Sequence, residues 1–226
     1  MAVITISRQV GSGGDQIARQ VCELLGYRYF DKTLMAQVAR EQGISDTEAV
    51  DFSEDSYRVR SFIDALLRRS KRVATATTVG TTTRGERTSL TQDVDEEMAA
   101  VFVRATIRAL RTQGQIVVVG RGGQAVLRDA PEALHARIIA RLEDRVHEVT
   151  QTEGLTRAAA ITLIEERDGA TAEYLRRFHG VDWADPSLYH MTINTSLMGR
   201  EAAVELLASA ARRIDARPRA AQATAA

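Results

Sequence analysis

Cysteine is nearly missing: Cys22 is the single one in 226 residues. One thiol cannot close an internal disulfide, which fits a cytoplasmic chain held together by its core. Its position on the first helical stretch reads as a small buried apolar side chain. No apolar run approaches the roughly 18 residues of a membrane span. The first residues run straight into a strand, so no signal peptide is expected. Net charge is also missing. Thirty basic and thirty acidic residues cancel, which leaves no broad field for nucleic acid. The histidines His135, His147, His179 and His190 show no metal-ligand spacing, and neither a Ser-His-Asp nor a Cys-His arrangement stands out. Lysine is the last shortage: only Lys32 and Lys71 are lysines, so a fixed cation elsewhere must be arginine.

What is present begins at Ala2 to Ile17. Val3, Ile4 and Ile6 give a β-branched run, the loop Ser7 to Gly14 carries Gly11, Gly13 and Gly14, and a helical period follows through Ile17, Val21, Leu24 and Leu25. Strand, glycine loop and helix make a phosphate-binding arrangement, because the loop amides converge and the helix adds its positive end. The usual loop reads G-x-x-x-x-G-K-[S/T], with lysine on the β- and γ-phosphates and a hydroxyl on magnesium. Here Gly14 and Asp15 follow Gly13, so both groups are missing. Arg8 at the loop mouth is the nearest substitute, since guanidinium can bridge two phosphate oxygens. An ordinary surface ion pair is its other reading. Asp15 either orients magnesium or water or simply complements the helix dipole.

Further along, Tyr27 to Phe30 reads as a strand ending in Asp31 and Lys32. Thr33 to Gln42 and Tyr57 to Arg72 read as helices, and residues 74–93 as a threonine-rich loop or hairpin. A helix from Asp95 to Thr112 leads to Gln115 to Val119, a continuous apolar strand of the kind a parallel sheet buries on both faces. It ends in Gly120, Arg121, Gly122 and Gly123. Open α/β sheets place ligands beyond strand C-termini, so this second glycine loop is expected to face the first. Arg121, between glycines, has no packing reason to be there. Ala133 to Ala140 reads as a strand, Leu142 to Thr152 and Arg157 to His179 as helices, Gly180 to Pro186 as a turn, Leu188 to Asn194 as a strand and Glu201 to Ile214 as a helix. Trp183 and Tyr189 either anchor that turn or stack a base. The tail, 217–226, is expected to be disordered. Alternating strands and helices predict a layered α/β fold with a parallel sheet.

The segments ITISRQVGSGGDQIA, YFDK, VVVGRGG, ARLEDRVHEV and DWADPSLYHMTINT, in this order, resemble the cytidylate kinase-like family, a nucleoside monophosphate kinase branch of the P-loop NTPases. The resemblance implies a three-layer sandwich with a helical insertion that binds the nucleoside monophosphate and a helical lid. The core would be 1–32 and 113–216, the insertion 33–112 and the lid about 145–180. It further implies ATP-dependent phosphoryl transfer to a nucleoside monophosphate, CMP or dCMP first, with ATP and Mg2+ and with small nucleotides as partners. A nucleotide-binding module without turnover, or a kinase for a non-nucleotide acceptor, are the alternatives.

By the same resemblance Gly11, Ser12, Gly13, Gly14, Asp15 and Gln16 fall on the phosphate loop. Asp31, Lys32 and Arg121 fall beside the acceptor, and Arg8, Arg145, Arg167 and Asp168 take catalytic places. On helices, ion pairs are the other reading of Arg145 and Arg167. The chain departs from the family pattern at Gly14, at Gly122 where an acid follows the arginine, and after Asp168, where GATA lacks an arginine. No residue stands out as the metal ligand; Asp15, Asp31 and Asp168 are the carboxylates to test. If the loop keeps the usual geometry, Gly14→Lys should raise ATP affinity.

Overall fold

A computed structural model of the chain describes residues 1–31 and 89–217, and of 89–99 the backbone alone. Five strands form one parallel sheet: β1 (Val3–Arg8), β2 (Arg28–Phe30), β3 (Ile116–Val119), β4 (Ala133–Ile139) and β5 (Met191–Asn194), in the order β2-β3-β1-β4-β5. Among the described residues the helices are α1 (Gly14–Leu25), α2 (Ser89–Gln113), α3 (Gly123–Val126), α4 (Leu142–Glu153), α5 (Arg157–His179), α6 (Thr195–Met198) and α7 (Arg200–Asp215).

The strands are apolar on both faces because both faces are covered. Ile4, Ile6, Val117, Val119, Ala136 and Ile138 join α1 and α7 in one cluster. Val3, Ile116, Val118 and Ala133 join Phe102, Val103, Ile107 and Leu110 of α2 in another. Alternate residues of each strand thus face opposite helical layers, the three-layer α/β sandwich expected from the pattern. The parallel strand order also places β3 next to β1, so the two glycine loops leave neighbouring strand ends.

Two boundaries differ from expectation. Residues 89–93 begin α2 instead of ending a loop. Once the second half of α2 is packed, extending the helix backwards adds one hydrogen bond per residue, which outweighs the poor helix propensity of Ser89 and Thr91. That same half of α2 packs under β3. Leu188 is not a strand residue: Pro186 fixes a 3-10 turn over Pro186–Leu188, and the Asp185 carboxylate accepts from the Ser187 amide at 2.8 Å. Lys32, the helices expected over Thr33 to Gln42 and Tyr57 to Arg72, the insertion up to residue 88 and the tail beyond 217 lie outside the described residues.

A second helical unit carries the far side of the site. Val146, Val149, Ala160 and Ile164 join α4 to α5, and Val10 of the first glycine loop packs against them. Leu175, Trp183 and Tyr189 form a smaller cluster where α5 meets the following turn. Among the described residues no helix is long and apolar enough to cross a membrane.

Candidate functional site

The loop Gln9 to Gly13 turns from β1 into α1 through two left-handed glycines, Gly11 at φ 76° and Gly13 at φ 78°. Close approach reinforces the requirement. A Cβ at Gly11 would lie 2.6 Å from the Arg145 carbonyl oxygen, and one at Gly13 would lie 2.7 Å from Arg200 Nε. The loop is pinned from three sides. Ser12 Oγ donates to the Gln9 carbonyl at 2.7 Å, Thr195 Oγ1 donates to the Ser12 carbonyl at 2.9 Å, and the Gln9 amide donates to Ile138 at 3.0 Å. What remains open is the first turn of α1, whose Gly14, Asp15 and Gln16 amides have no acceptor within the helix. Three amides at a positive helix end suit an anion.

Arg8 crosses this opening. Its Nε donates to Asp15 at 3.1 Å, and its Nη1 lies 2.8 Å from where a Cβ of Gly120 would be. A Cβ at Gly14 would meet Arg8 Cβ at 2.5 Å and Cγ at 2.8 Å. The arginine side chain therefore already fills the space in which a lysine at 14 would start. The condition attached to Gly14→Lys, that the loop keep the usual room for that side chain, is therefore not met.

The second loop faces the first, as its place after β3 implied. Gly120, Arg121 and Gly122 are all left-handed, at φ 72°, 56° and 68°. For a residue with a Cβ this conformation costs about 1–2 kcal/mol. Burial pushes the Arg121 guanidinium below its ordinary pKa, and the Arg8 charge adds to that; Tyr174 and Asp31 oppose it. Two buried or half-buried guanidinium groups facing each other repel, and an anion between them removes the repulsion. Arg121 Nε is buried and makes no hydrogen bond.

Arg145 and Asp168 act on the other side of the first loop. Arg145, 6% exposed, donates from Nε to the Val10 carbonyl at 2.7 Å and from its terminal nitrogen to Asp168. Asp168 accepts the Val10 amide at 2.9 Å. The pair clasps one residue of the loop by both its backbone groups. Arg167, by contrast, is exposed and pairs with Glu153 at 3.6 Å, so the structure does not bring it to the others. Asp31 follows β2, and its charge reaches both Tyr29 and Arg121.

Magnesium finds no ready cradle here. Among the described residues no group of three His, Cys, Asp or Glu side chains could hold a metal ion. Asp15 is paired with Arg8, Asp168 with Arg145 and Val10, and the Ser12 hydroxyl with Gln9. The side chains among the described residues do not fit a metal held by the protein.

Several contributors carry no sequence signal. Arg200 lies over Gly13 and pairs with Glu148, which also accepts from Gln16 Nε2 at 3.1 Å. His179 packs its Nε2 2.5 Å from where a Cβ of Gly122 would be, and burial and Arg104 hold its pKa below the ordinary value. On helices these residues look like any exposed polar side chain. Trp183 settles as an anchor: its indole donates to Ser7 Oγ at 2.7 Å, and Tyr189 Oη donates to the Trp183 carbonyl at 2.9 Å.

A glycine-rich loop between the first strand and first helix of a parallel sheet, with a second glycine loop beside it, defines a P-loop-like α/β fold. The chain belongs to the cytidylate kinase-like family, whose sequence pattern matches residues 3–197. It is similar to the cytidylate kinase of Aeropyrum pernix, 27% identical over 209 residues that cover 92% of this chain and 98% of that one. The cytidylate kinase of Pyrococcus horikoshii is 23% identical over 214 residues, covering 94% and 90%. Among solved structures, an uncharacterized protein from Eubacterium ventriosum superposes with a TM-score of 0.61 at 18% identity, covering 96% of this chain and 100% of that one. That likeness is one of fold.

Proposed function

We propose that this chain is a nucleoside monophosphate kinase that moves the γ-phosphoryl group of ATP to CMP or dCMP. The observation that carries the reading is Arg8: it stands in the space of the missing loop lysine and touches Gly120 of the second loop. Family membership and the cytidylate kinases among its relatives support CMP as the first acceptor.

In this reading the Gly14, Asp15 and Gln16 amides and the Gly11 to Gly14 loop hold the donor's phosphates. Arg121 holds the acceptor's phosphate, with Asp31 beside it. Arg8, between the two loops, neutralises charge on the moving group. An oxygen of the acceptor's phosphate forms a bond to the γ-phosphorus while the bond to the β,γ-bridging oxygen breaks, leaving ADP and a nucleoside diphosphate. That oxygen is already anionic, so no general base is required. Alignment and charge neutralisation carry the catalysis. Arg145 and Asp168 act by fixing the Val10 peptide.

The test is ADP release from ATP with CMP, dCMP, UMP or AMP present. Acceptor-dependent release that falls about 100-fold or more in both Arg8→Ala and Arg121→Ala supports the assignment. Release that no nucleotide stimulates, with saturable ATP binding intact, overturns it in favour of a binding module. The engagement of Asp15 and Asp168 with arginines is the observation on that module's side.

A further inference from the structure

Three buried side-chain polar atoms meet around the second glycine loop: Arg121 Nε and His179 Nε2, which make no hydrogen bond, and Tyr174 Oη, whose one polar neighbour is the Arg121 guanidinium and whose proton has no acceptor. Their closeness is not inferred from sequence. Tyr174 lies beside the Arg121 guanidinium, and its ring centroid is 5.6 Å from that of His179. His179 packs on Gly122, and Arg104 closes the back by donating to the Phe178 carbonyl at 2.9 Å. A buried polar atom left unpaired costs about 1–3 kcal/mol, so three around one loop need an explanation. The backbone repeats the signal, because Arg121 is one of three consecutive left-handed residues. Strain and unpaired polar groups gathered at one strand end are the signature of a site whose partner arrives later.

Resting on the kinase reading, we propose that Tyr174 is a second ligand of the acceptor's phosphate: its hydroxyl donates to a phosphate oxygen that Arg121 also binds. His179 and Arg104 are positioning residues that hold the last turn of α5 against Gly122. The chemistry fits an oxyanion. Burial raises the Tyr174 pKa, so the phenol is a donor at neutral pH, and it sits between the Arg121 and Arg104 cations. The segment GATAEY after Asp168 offers no arginine to this place, and Tyr174 supplies a neutral donor there instead.

Tyr174→Phe tests this, because it removes one hydroxyl and keeps the ring. In the free protein the hydroxyl meets only the Arg121 guanidinium and its proton has no acceptor, so thermal stability should change little. The KM for CMP should increase about 10- to 150-fold, the worth of one hydrogen bond to a charged group, with the KM for ATP within twofold of wild type. A structural role would instead lower the melting temperature and move both KM values together. Inorganic phosphate binding, followed by calorimetry on the whole chain, separates the two readings. If wild type transfers to no nucleotide but loses phosphate affinity in Tyr174→Phe, the kinase reading fails and the anion site stands. An unchanged KM for CMP, or phosphate affinity equal to wild type, overturns the role of Tyr174.

Discussion

A Cβ built on Gly14 would stand 2.5 Å from the Cβ of Arg8, so these two positions share one side chain's worth of space. The usual loop spends that space on a lysine rising from the helix; here an arginine enters from the end of β1. The glycine and the arginine form a coupled pair, and each makes sense only with the other.

Gly14→Lys alone should therefore weaken the protein. Forcing a side chain into filled space costs about 1–3 kcal/mol, and displacing Arg8 from Asp15 should lower ATP affinity as well. Adding Arg8→Gly, which removes both the colliding Cβ and the Cγ, should relieve the collision and recover much of the stability. Chemical denaturation and ATP titration of the two single variants and the double variant read this directly. A single Gly14→Lys variant as stable as wild type, with tighter ATP binding, would show that the space is not shared.

Arg145 should behave as a structural clasp. It holds the Val10 carbonyl at 2.7 Å and pairs with Asp168, which holds the Val10 amide at 2.9 Å. Arg145→Ala leaves a half-buried carboxylate and a loop carbonyl without their arginine, a loss of about 3 kcal/mol. The Arg145→Ala, Asp168→Ala double variant should lose less than the sum of the singles, because the orphaned charge goes with its partner. Urea unfolding of the four proteins gives the coupling. Additive losses would mean that the two side chains act independently.

Which parts could be read in advance follows from where the signal lies. The IVVV run and the glycines at 11, 13, 14, 120, 122 and 123 announce strands and tight turns by chemistry that few other residues share. The parallel sheet and both loops were legible for that reason. Arg8 stood out at the mouth of the first glycine loop, and Arg121 because it lies between glycines. His179, Arg104 and Arg200 lie on helices, where their spacing matches an ordinary solvated face, and only the packing of α5, α2 and α7 against the loops brings them in. Arg145 and Arg167 illustrate the limit: both are helical arginines in the same expected lid, yet one is 6% exposed under Val10 and the other pairs with Glu153 at the surface. Burial, which separates them, comes from tertiary contacts that no local pattern encodes.

His135 predicts how the fold responds to acid. Its ring lies between β4 and its neighbours, with Thr5 Oγ1 at 2.8 Å from Nδ1 and the Leu127 carbonyl at 3.1 Å from Nε2. A carbonyl only accepts, so Nε2 carries the proton and Nδ1 accepts from Thr5: the ring is neutral. Burial first, and then the nearby His190, hold its pKa down to about 4, against 6.5 for the ordinary side chain. The unfolded chain therefore binds a proton at this residue between those values while the folded chain does not. Stability from His135 is complete above pH 6.5 and is lost as the pH falls towards 4, by about 3 kcal/mol in all. Urea unfolding at a series of pH values should show this slope, and His135→Gln should flatten it by about one proton across that window. Parallel curves for the two proteins would mean that His135 is not held neutral in the fold.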